Sequence, residues 1–325
     1  MCGPTTGKEA TTVETVGNAP IEKLLEPPSA IARYTCASII LAVFAVWGKL
    51  AFVPESEAPG VASPVHSFKV PLSLTVVYIV SLPILRTLSS KFLSKTVDVK
   101  LLLRESMFLY NAFQVLINGW MVYRFVEALV FKRHPLIGDT QNVTSGAAYA
   151  VWVHYCDKYL EFLDTYFMVL RGRMDQVSFL HLYHHVSIAW AWWYGFGQMP
   201  GGDSYFGALL NSWIHVMMYS YYALALLKIS CPWKKYLTQA QLVQFLSVLI
   251  YTGYSYTLAV DSGAKWPMLS SYYVQAFEMI SLFILFTLFY RKAYSKKKKI
   301  SPKEVSETSS DTPDQQSLSS TSAHS

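Results

Sequence analysis

Long runs of apolar residues separated by short polar segments dominate this sequence. A helix needs about 20 apolar residues to cross the hydrocarbon core of a bilayer, which is about 30 Å thick. Seven runs reach this length, near residues 71–89, 107–129, 147–170, 178–198, 206–227, 237–260 and 271–290. They lack the alternation that is typical of strands. The pattern therefore predicts an all-α polytopic membrane protein with seven transmembrane helices.

An eighth apolar run, over residues 36–53, leaves the topology of the N-terminal part open. It carries Lys49, so it predicts a segment that spans the bilayer, dips into it or lies at its surface. We expect four regions: a disordered N-terminal segment over 1–30, an optional hydrophobic segment with a lumenal loop over 31–70, a membrane domain over 71–295, and a basic, then Ser/Thr-rich, disordered cytosolic tail over 296–325.

Composition and charge support a membrane location and give it an orientation. Only 15% of the 325 residues are charged, against about 25% in soluble domains, which excludes an ordinary soluble enzyme. One set of alternate connections holds 17 Lys and Arg residues and the other set holds 4. Because cytoplasmic loops are rich in Lys and Arg, we expect a cytosolic C-terminus. The sequon Asn142-Val143-Thr144 then falls on the lumenal side.

Ionisable residues inside the spans are concentrated in three consecutive helices. Such residues are costly in a bilayer and mark functional sites. The candidates are Lys158, Glu161, Asp164, His181, His184, His185 and His215. Spacings of three place the first three on one helical face, where Lys158 and Glu161 neutralise each other. These seven lie at or on the cytosolic side of mid-membrane, and the glutamines of the 237–260 span begin at the cytosolic face. We therefore expect residues of four helices to converge on one reactive layer, with a mostly apolar and aromatic lumenal half.

The histidine cluster alone is compatible with more than one chemistry. Its HxxHH spacing is found in membrane di-iron desaturases and hydroxylases, in which many imidazoles hold two metal ions. Of the eight histidines, however, His66 and His134 fall in lumenal connections and His324 in the tail. The remaining cluster has enough ligands for one zinc ion. A neutral imidazole can instead attack a thioester or act as a general base. A receptor or transporter without enzymatic activity is a third interpretation.

Four motifs extend the pattern beyond the histidines. KYLEFLDT at 158–165, HLYHH at 181–185, HVMMYSYY at 215–222 and TQAQLVQ at 238–244 resemble the four signature boxes of the ELO family of fatty acid elongases. They occur in the family's order, and the resemblance covers roughly residues 70 to 295. The resemblance implies a protein of the endoplasmic reticulum with seven membrane helices, six of them around a narrow acyl tunnel. Members of the family are commonly dimeric, so the resemblance also implies a dimer.

The resemblance also implies a reaction. ELO members condense an acyl-CoA with malonyl-CoA to give a 3-oxoacyl-CoA, carbon dioxide and CoA, without a cofactor or metal. His184 would be the nucleophile that accepts the acyl group, and His215 the second catalytic histidine. The residues expected to orient the imidazoles are His181, His185, Asp164, Glu161 and Asn211. Lys158 would balance the acidic side chains.

Substrates and partners follow from the same resemblance. Basic residues of the cytosolic rim are expected to bind the CoA phosphates, namely Arg171, Arg173, Lys234 and Lys235. Further substrate contacts are expected from Tyr219, Tyr222, Gln241 and Gln244. The run DQVSFLHLYHHVS is similar to that of elongases of polyunsaturated acids. We expect a homodimer in the bilayer that works with the 3-oxoacyl-CoA reductase, dehydratase and enoyl reductase of the elongation cycle, and no nucleic-acid partner.

Overall fold

The structure is a computed structural model that describes residues 26–52, 66–140 and 146–300, with side chains placed as far as residue 292. The predicted sequon at Asn142 lies outside the described residues. So do most of the expected N-terminal segment and the C-terminal tail from residue 301 onward.

Each apolar run of the sequence forms a helix, and the described part of the chain contains no strand. The long helices are α1 (Ala30–Ala51), α2 (Lys69–Leu88), α3 (Arg104–Val130), α4 (Ala147–Leu160), α5 (Phe162–Leu170), α6 (Phe179–Gln198), α7 (Ser204–Leu226), α8 (Leu237–Asp261) and α9 (Met268–Ile300). Short connecting segments are Ser89–Leu93, Ser94–Thr96, Val99–Leu102 and Pro232–Tyr236. The all-α prediction is confirmed.

Within the described residues, four helical segments are long and apolar enough to cross a membrane by length and composition alone. They are Ala30–Ala51, Lys69–Thr96, Pro232–Asp261 and Met268–Lys292. The helices between them carry more polar side chains, many of them buried inside the bundle, such as Gln114 and Asn118 of α3. Lipid cannot hydrogen-bond a polar group, so these side chains turn inward. The interior of the bundle is therefore where the chemistry lies.

Six of the crossings close into a ring. Helix α3 packs against α7, α7 against α8, α8 against α9, α9 against α6, and α6 against α4, which returns to α3. The short helix α5 continues the α4 crossing. Helix α2 lies outside the ring against α5 and α6. This arrangement agrees with the six-helix tunnel that the sequence resemblance implies.

The optional apolar run forms α1, a 22-residue helix packed on the outside of α3 and α4. The indole N–H of Trp47 donates to the carbonyl of Cys156 at 3.0 Å, and that of Trp152 donates to the carbonyl of Ala51 at 3.0 Å. Because these bonds are shielded from water, they hold the helix against the ring. The segment is thus part of the folded bundle.

The beginning of α1 lies at the same end of the bundle as the beginning of α3. Here Arg33 of α1 forms an ion pair with Glu105 of α3, and the N–H of Asp98 donates to the carbonyl of Glu26 at 3.3 Å. With α4 and α5 taken as one crossing, eight crossings then alternate in direction. Because eight is an even number, both ends of the described chain lie on the same side of the bundle.

Candidate active site

The site begins where a predicted helix is divided in two. The sequence predicts one helix over 147–170, and this is wrong in one respect, because α4 ends at Leu160 and α5 begins at Phe162. The intervening Glu161 accepts the N–H of Asp164 at 3.1 Å, three residues on, as in a tight 3₁₀ turn. Both acidic side chains still face the same neighbour, α7, so their predicted shared face is confirmed.

Glu161 is the centre of a buried charge cluster. One of its carboxylate oxygens, Oε1, lies 2.5 Å from Lys158 Nζ and 3.0 Å from His215 Nδ1. Lys158 also donates to Asn211 Oδ1 at 3.0 Å. Lys158 and Glu161 are each only 1% exposed. Because the Glu161 carboxylate lies beside Nδ1 of His215, it favours the tautomer with the proton on that nitrogen, which leaves the lone pair on Nε2, where it can act as a base.

Asp164 contacts phenols rather than imidazoles. Its Oδ2 accepts a hydrogen bond from Tyr219 at 2.7 Å, and the Tyr219 hydroxyl lies 3.2 Å from that of Tyr110. The sequence leads us to expect that Asp164 orients a histidine, whereas in the structure it accepts a hydrogen bond from Tyr219. The group therefore brings two aromatic hydroxyls to the wall of the site.

The three histidines of α6 have different surroundings. His181 Nε2 lies 2.8 Å from the Thr165 hydroxyl, which in turn lies 2.6 Å from that of Tyr78. His185 is buried, with its ring centroid 4.4 Å from that of His181. His184 lines both the polar chamber and the tunnel described next. Of the three, His184 is thus the one placed to meet a substrate that reaches from one into the other.

Three neighbouring cavities lie among the helices of the ring. We call them the mouth, the histidine chamber and the tunnel. The mouth and the chamber share Asp164 and Tyr222 in their walls. The chamber and the tunnel share His184, Asn211 and Gln244. A bound molecule can therefore run from the mouth past the histidines into the tunnel.

Comparison with known families decides which class of protein has this arrangement. The profile of the ELO family, described as GNS1/SUR4, matches residues 63–302. The chain belongs to the ELO family. Of the long helices, only α1 precedes the region matched to the family, so the ring, α2 and all three cavities lie within it.

Curated relatives of this ELO chain carry the name very long chain fatty acid elongase 5. The protein from Xenopus laevis is 39% identical over 203 residues, which cover 60% of this chain and 66% of that protein. The protein from Tachysurus fulvidraco is 35% identical over 235 residues, covering 70% and 76%. The human protein is 45% identical over 153 residues, covering 45% and 48%. The match to the first of these thus spans slightly less than two thirds of its length.

All four ELO motifs contribute to the wall of the histidine chamber. Besides the acidic residues and the histidines, the wall contains Tyr219, Tyr222, Thr238, Gln241 and Gln244. The predicted convergence of four helices on one layer is therefore confirmed. Asn211 lines the same wall, and its Oδ1 accepts the hydrogen bond from Lys158.

Of the described histidines, the chamber gathers four. His66 lies against Trp193, His134 against Tyr205 and His154 against Trp192, all outside the chamber. Atoms of Asp157, Glu161 and His215 lie within 4.8 Å of one another, which is close enough for a metal ion. The Lys158 ammonium already contacts Glu161, however, and would repel a cation at that point. Membership of the ELO family gives the desaturase interpretation no support.

The four basic residues expected at the rim separate into two groups. Arg171 lines the mouth and Lys234 lines the chamber. Arg173 instead pairs with Asp175 at 3.0 Å, and these hydrogen bonds lower the pKa of the Asp175 carboxyl. Lys235 lies over the ring of Tyr236, 4.8 Å from its centroid. The wall of the mouth also contains basic residues that were not predicted from the sequence to bind substrate, namely Lys100, Arg104, Lys228 and Lys292.

A second buried polar group adjoins the charge cluster and was missed from the sequence. Asp157 accepts hydrogen bonds from Gln114 at 3.0 Å and from Asn118 at 3.3 Å, and none of the three is exposed. The signal was present, because Asp157 is an ionisable residue inside a span. This group fixes the turn of α4 that carries Lys158 and so supports the position of the ammonium.

The tunnel is largely apolar, as the sequence predicts, but its wall is not uniform. Two polar side chains of α9, Glu278 and Gln275, also line it. Glu278 is 5% exposed. Like the residues of the histidine layer, Glu278 is an ionisable residue inside a span. That span, however, carries none of the four ELO motifs.

Proposed function

We propose that this chain is the condensing enzyme of fatty acid elongation. It joins a long-chain acyl-CoA and malonyl-CoA to give a 3-oxoacyl-CoA, carbon dioxide and free CoA. The two thioesters are its substrates, and it uses no cofactor. The observation that carries the proposal is the position of His184, where the histidine chamber meets a largely apolar tunnel. Relatives that carry the name very long chain fatty acid elongase 5 support the same reaction.

In the first half-reaction, a ring nitrogen of His184 attacks the thioester carbonyl. A C–N bond forms, the C–S bond breaks, and CoA leaves. The proton lost by His184 passes to the departing thiolate, and His215 Nε2 is the base that relays it. Glu161 stabilises the transient imidazolium of His215 from 3.0 Å away.

In the second half-reaction, malonyl-CoA occupies the mouth that CoA has left. Loss of carbon dioxide leaves an enolate, whose carbon attacks the acyl group on His184. The new C–C bond forms as the C–N bond breaks, and a proton from solvent restores the neutral imidazole. Lys158 holds Glu161 in place throughout, through the contact that makes both groups tolerable in a buried site.

The direct test is a feeding assay. The chain is expressed in an elongation-deficient microbe, candidate saturated and polyunsaturated fatty acids are supplied, and the products are identified by mass spectrometry. We expect products two carbons longer than the acid supplied, with polyunsaturated acids favoured. A new double bond or hydroxyl at constant chain length would instead overturn the proposal.

We propose that the cations around the mouth bind the phosphates of CoA. Arg171→Ala is expected to raise KM for acyl-CoA about tenfold with little change in kcat, because it removes a charge-assisted contact made equally in the ground and transition states. Steady-state kinetics on purified protein measures both constants.

Arg86→Ala is the matched control for this prediction. Arg86 carries the same charge at the end of α2, is exposed and lines none of the three cavities. Arg173 is unsuitable, because its partner Asp175 lines the mouth and would be left unpaired there. We expect less than a twofold change in KM. Equal effects of the two substitutions would contradict binding of CoA at the mouth and would indicate only a general effect of positive charge. Lys234 is proposed to act at the chamber, and Lys235 at the outer rim.

We propose the remaining features from the family and from the charge pattern. The protein would reside in the endoplasmic reticulum membrane as a homodimer, with its C-terminus in the cytosol. It would pass its product to the 3-oxoacyl-CoA reductase, dehydratase and enoyl reductase of the cycle. The 17 Lys and Arg residues on one set of connections support the orientation.

A further inference from the structure

The acyl tunnel has a polar stripe on one wall. Ser271, Gln275 and Glu278 of α9 all line the tunnel, and their spacings of four and three put them on one helical face. A carboxyl group on a membrane helix is costly wherever it faces hydrocarbon. Glu278 takes no part in the condensation mechanism, so its position next to an acyl chain calls for another role.

Glu278 and Gln275 are held in place by neighbouring helices. The hydroxyl of Ser187 on α6 donates to Glu278 Oε2 at 3.1 Å. On α7, Gly207 makes room for the amide of Gln275, since a Cβ added there would lie 3.1 Å from Gln275 Nε2. The polar wall is therefore built from three helices of the ring. We call Glu278 and Gln275 together the polar station.

The station lies close to the reactive histidine. Ser187 is three residues after His184 on the same helix, which is about 4.5 Å along its axis at 1.5 Å per residue. Gln275 is three residues before Glu278 on α9, which adds about 4.5 Å in the direction away from the histidines. An acyl group attached to His184 therefore passes the station with the part of its chain nearest the carboxyl carbon.

Saturated and unsaturated chains differ in what they offer at this depth. A run of methylene groups has no hydrogen-bonding capacity, so it covers the carboxyl and amide groups without offering them a contact beyond the one that Ser187 gives Glu278. The π electrons of a cis double bond accept weak hydrogen bonds from N–H and O–H donors, which here are the Gln275 amide and the Glu278 carboxyl in its protonated form. The penalty for binding is therefore smaller for a chain that carries a double bond at the station.

We propose that Glu278, together with Gln275, determines the specificity of the tunnel for acyl chains with cis double bonds near the carboxyl end over saturated chains of equal length. The inference rests on the proposed elongase function, because it takes His184 as the point of acyl attachment. It adds to that function the wall residues that select the substrate and the part of the chain that they read.

The experiment compares four acyl-CoAs of equal length on the purified full-length protein. One is saturated, one has cis double bonds only near the carboxyl end, one has them only near the methyl end, and one has a hydroxyl group at the depth of the station. The variants are Glu278→Leu and the conservative Glu278→Gln. Ser281→Ala is the control, because it lies one turn away on α9, bonds to Tyr183 and does not line the tunnel.

For Glu278→Leu we expect the ratio of kcat/KM for the carboxyl-end unsaturated chain to that for the saturated chain to fall about tenfold. The ratio is expected to change by less than twofold in the other two variants. An unchanged ratio in Glu278→Leu overturns the inference, as does an equal change for the methyl-end isomer, which would indicate chain shape alone. Preference for the hydroxylated chain in the wild type would reassign the station to oxygenated acyl groups and so overturn it also.

Failure of the proposed function has a separate signature. If the wild type elongates none of the four substrates, the condensing activity itself is wrong. The station is then tested by the fatty acyl species that the protein retains through purification from a mixed pool, measured by lipid mass spectrometry. Equal enrichment of unsaturated species in the wild type and in Glu278→Leu contradicts the inference without reference to turnover.

Discussion

Replacing His184 with alanine is expected to abolish condensation, with a fall in kcat of at least about 10³-fold, because the substitution removes the group that accepts the acyl chain. Among the described histidines, His184 is the one that lines both the chamber and the tunnel. The measurement is twofold: turnover with saturating acyl-CoA and malonyl-CoA, and intact-protein mass spectrometry after incubation with acyl-CoA alone. The wild type should gain the mass of one acyl group, and the variant should not.

Tyr183→Phe provides the control for this experiment. Tyr183 precedes His184 on α6, but its hydroxyl donates to Ser281 and it lines neither the chamber nor the tunnel. We expect acylation and turnover close to those of the wild type. An acyl adduct of full stoichiometry on His184→Ala would show that another residue is the nucleophile.

The second large effect is expected at the buried ion pair. Glu161→Gln removes the charge that balances Lys158 and the group that lies against His215 Nδ1. Breaking a buried pair typically lowers the free energy of unfolding by about 3–5 kcal/mol. Loss of an oriented general base typically costs about 10²–10⁴-fold in rate. We expect both losses, measured by thermal unfolding in detergent and by turnover at a temperature where the variant remains folded.

A double variant separates the two effects. Lys158→Met combined with Glu161→Met replaces both charges with apolar side chains of similar length, so neither charge is left unpaired. We expect it to recover most of the lost stability while turnover stays at least about 100-fold below that of the wild type. Recovery of turnover together with stability would mean that the pair is structural only.

Much of the fold was predictable from the hydrophobic pattern, since lipid imposes one strict condition on length. Each apolar run became a helix, and even the optional run before the family region forms α1. The division between α4 and α5 was not predictable. A tight turn at Glu161 changes the path of the backbone without changing the apolar pattern or the spacing of the polar side chains.

The reactive layer was predictable for a similar reason. Charged residues are so rare inside spans that Lys158 and Glu161 pointed to each other from spacing alone, and the structure places them in contact. Partners on different helices could not be inferred. That Asp164 contacts Tyr219, or that Asp157 contacts Gln114, depends on how each helix is rotated about its axis, which a single sequence does not specify.

The polar wall of the tunnel likewise depends on how the helices pack. Gln275 and Glu278 lie on α9, a span that carries none of the four ELO motifs. Glu278 was recognisable from the sequence as an ionisable residue inside an apolar span. Its hydrogen-bond donor Ser187, however, lies 91 residues away in the chain. Only the packing of α6 against α9 brings them together.

The shared walls of the mouth, the chamber and the tunnel have a kinetic consequence. A long acyl chain that reaches the tunnel from the mouth passes the histidines with its methyl end first, and a product formed at His184 returns by the same path. Traffic is then single-file, so a tightly held product obstructs both CoA esters at once. Because acyl-CoA binds the free enzyme and malonyl-CoA binds the acylated enzyme, we expect the 3-oxoacyl product to inhibit competitively against acyl-CoA and noncompetitively against malonyl-CoA. The rate of repeated cycles is then expected to depend on how quickly the next enzyme removes the product.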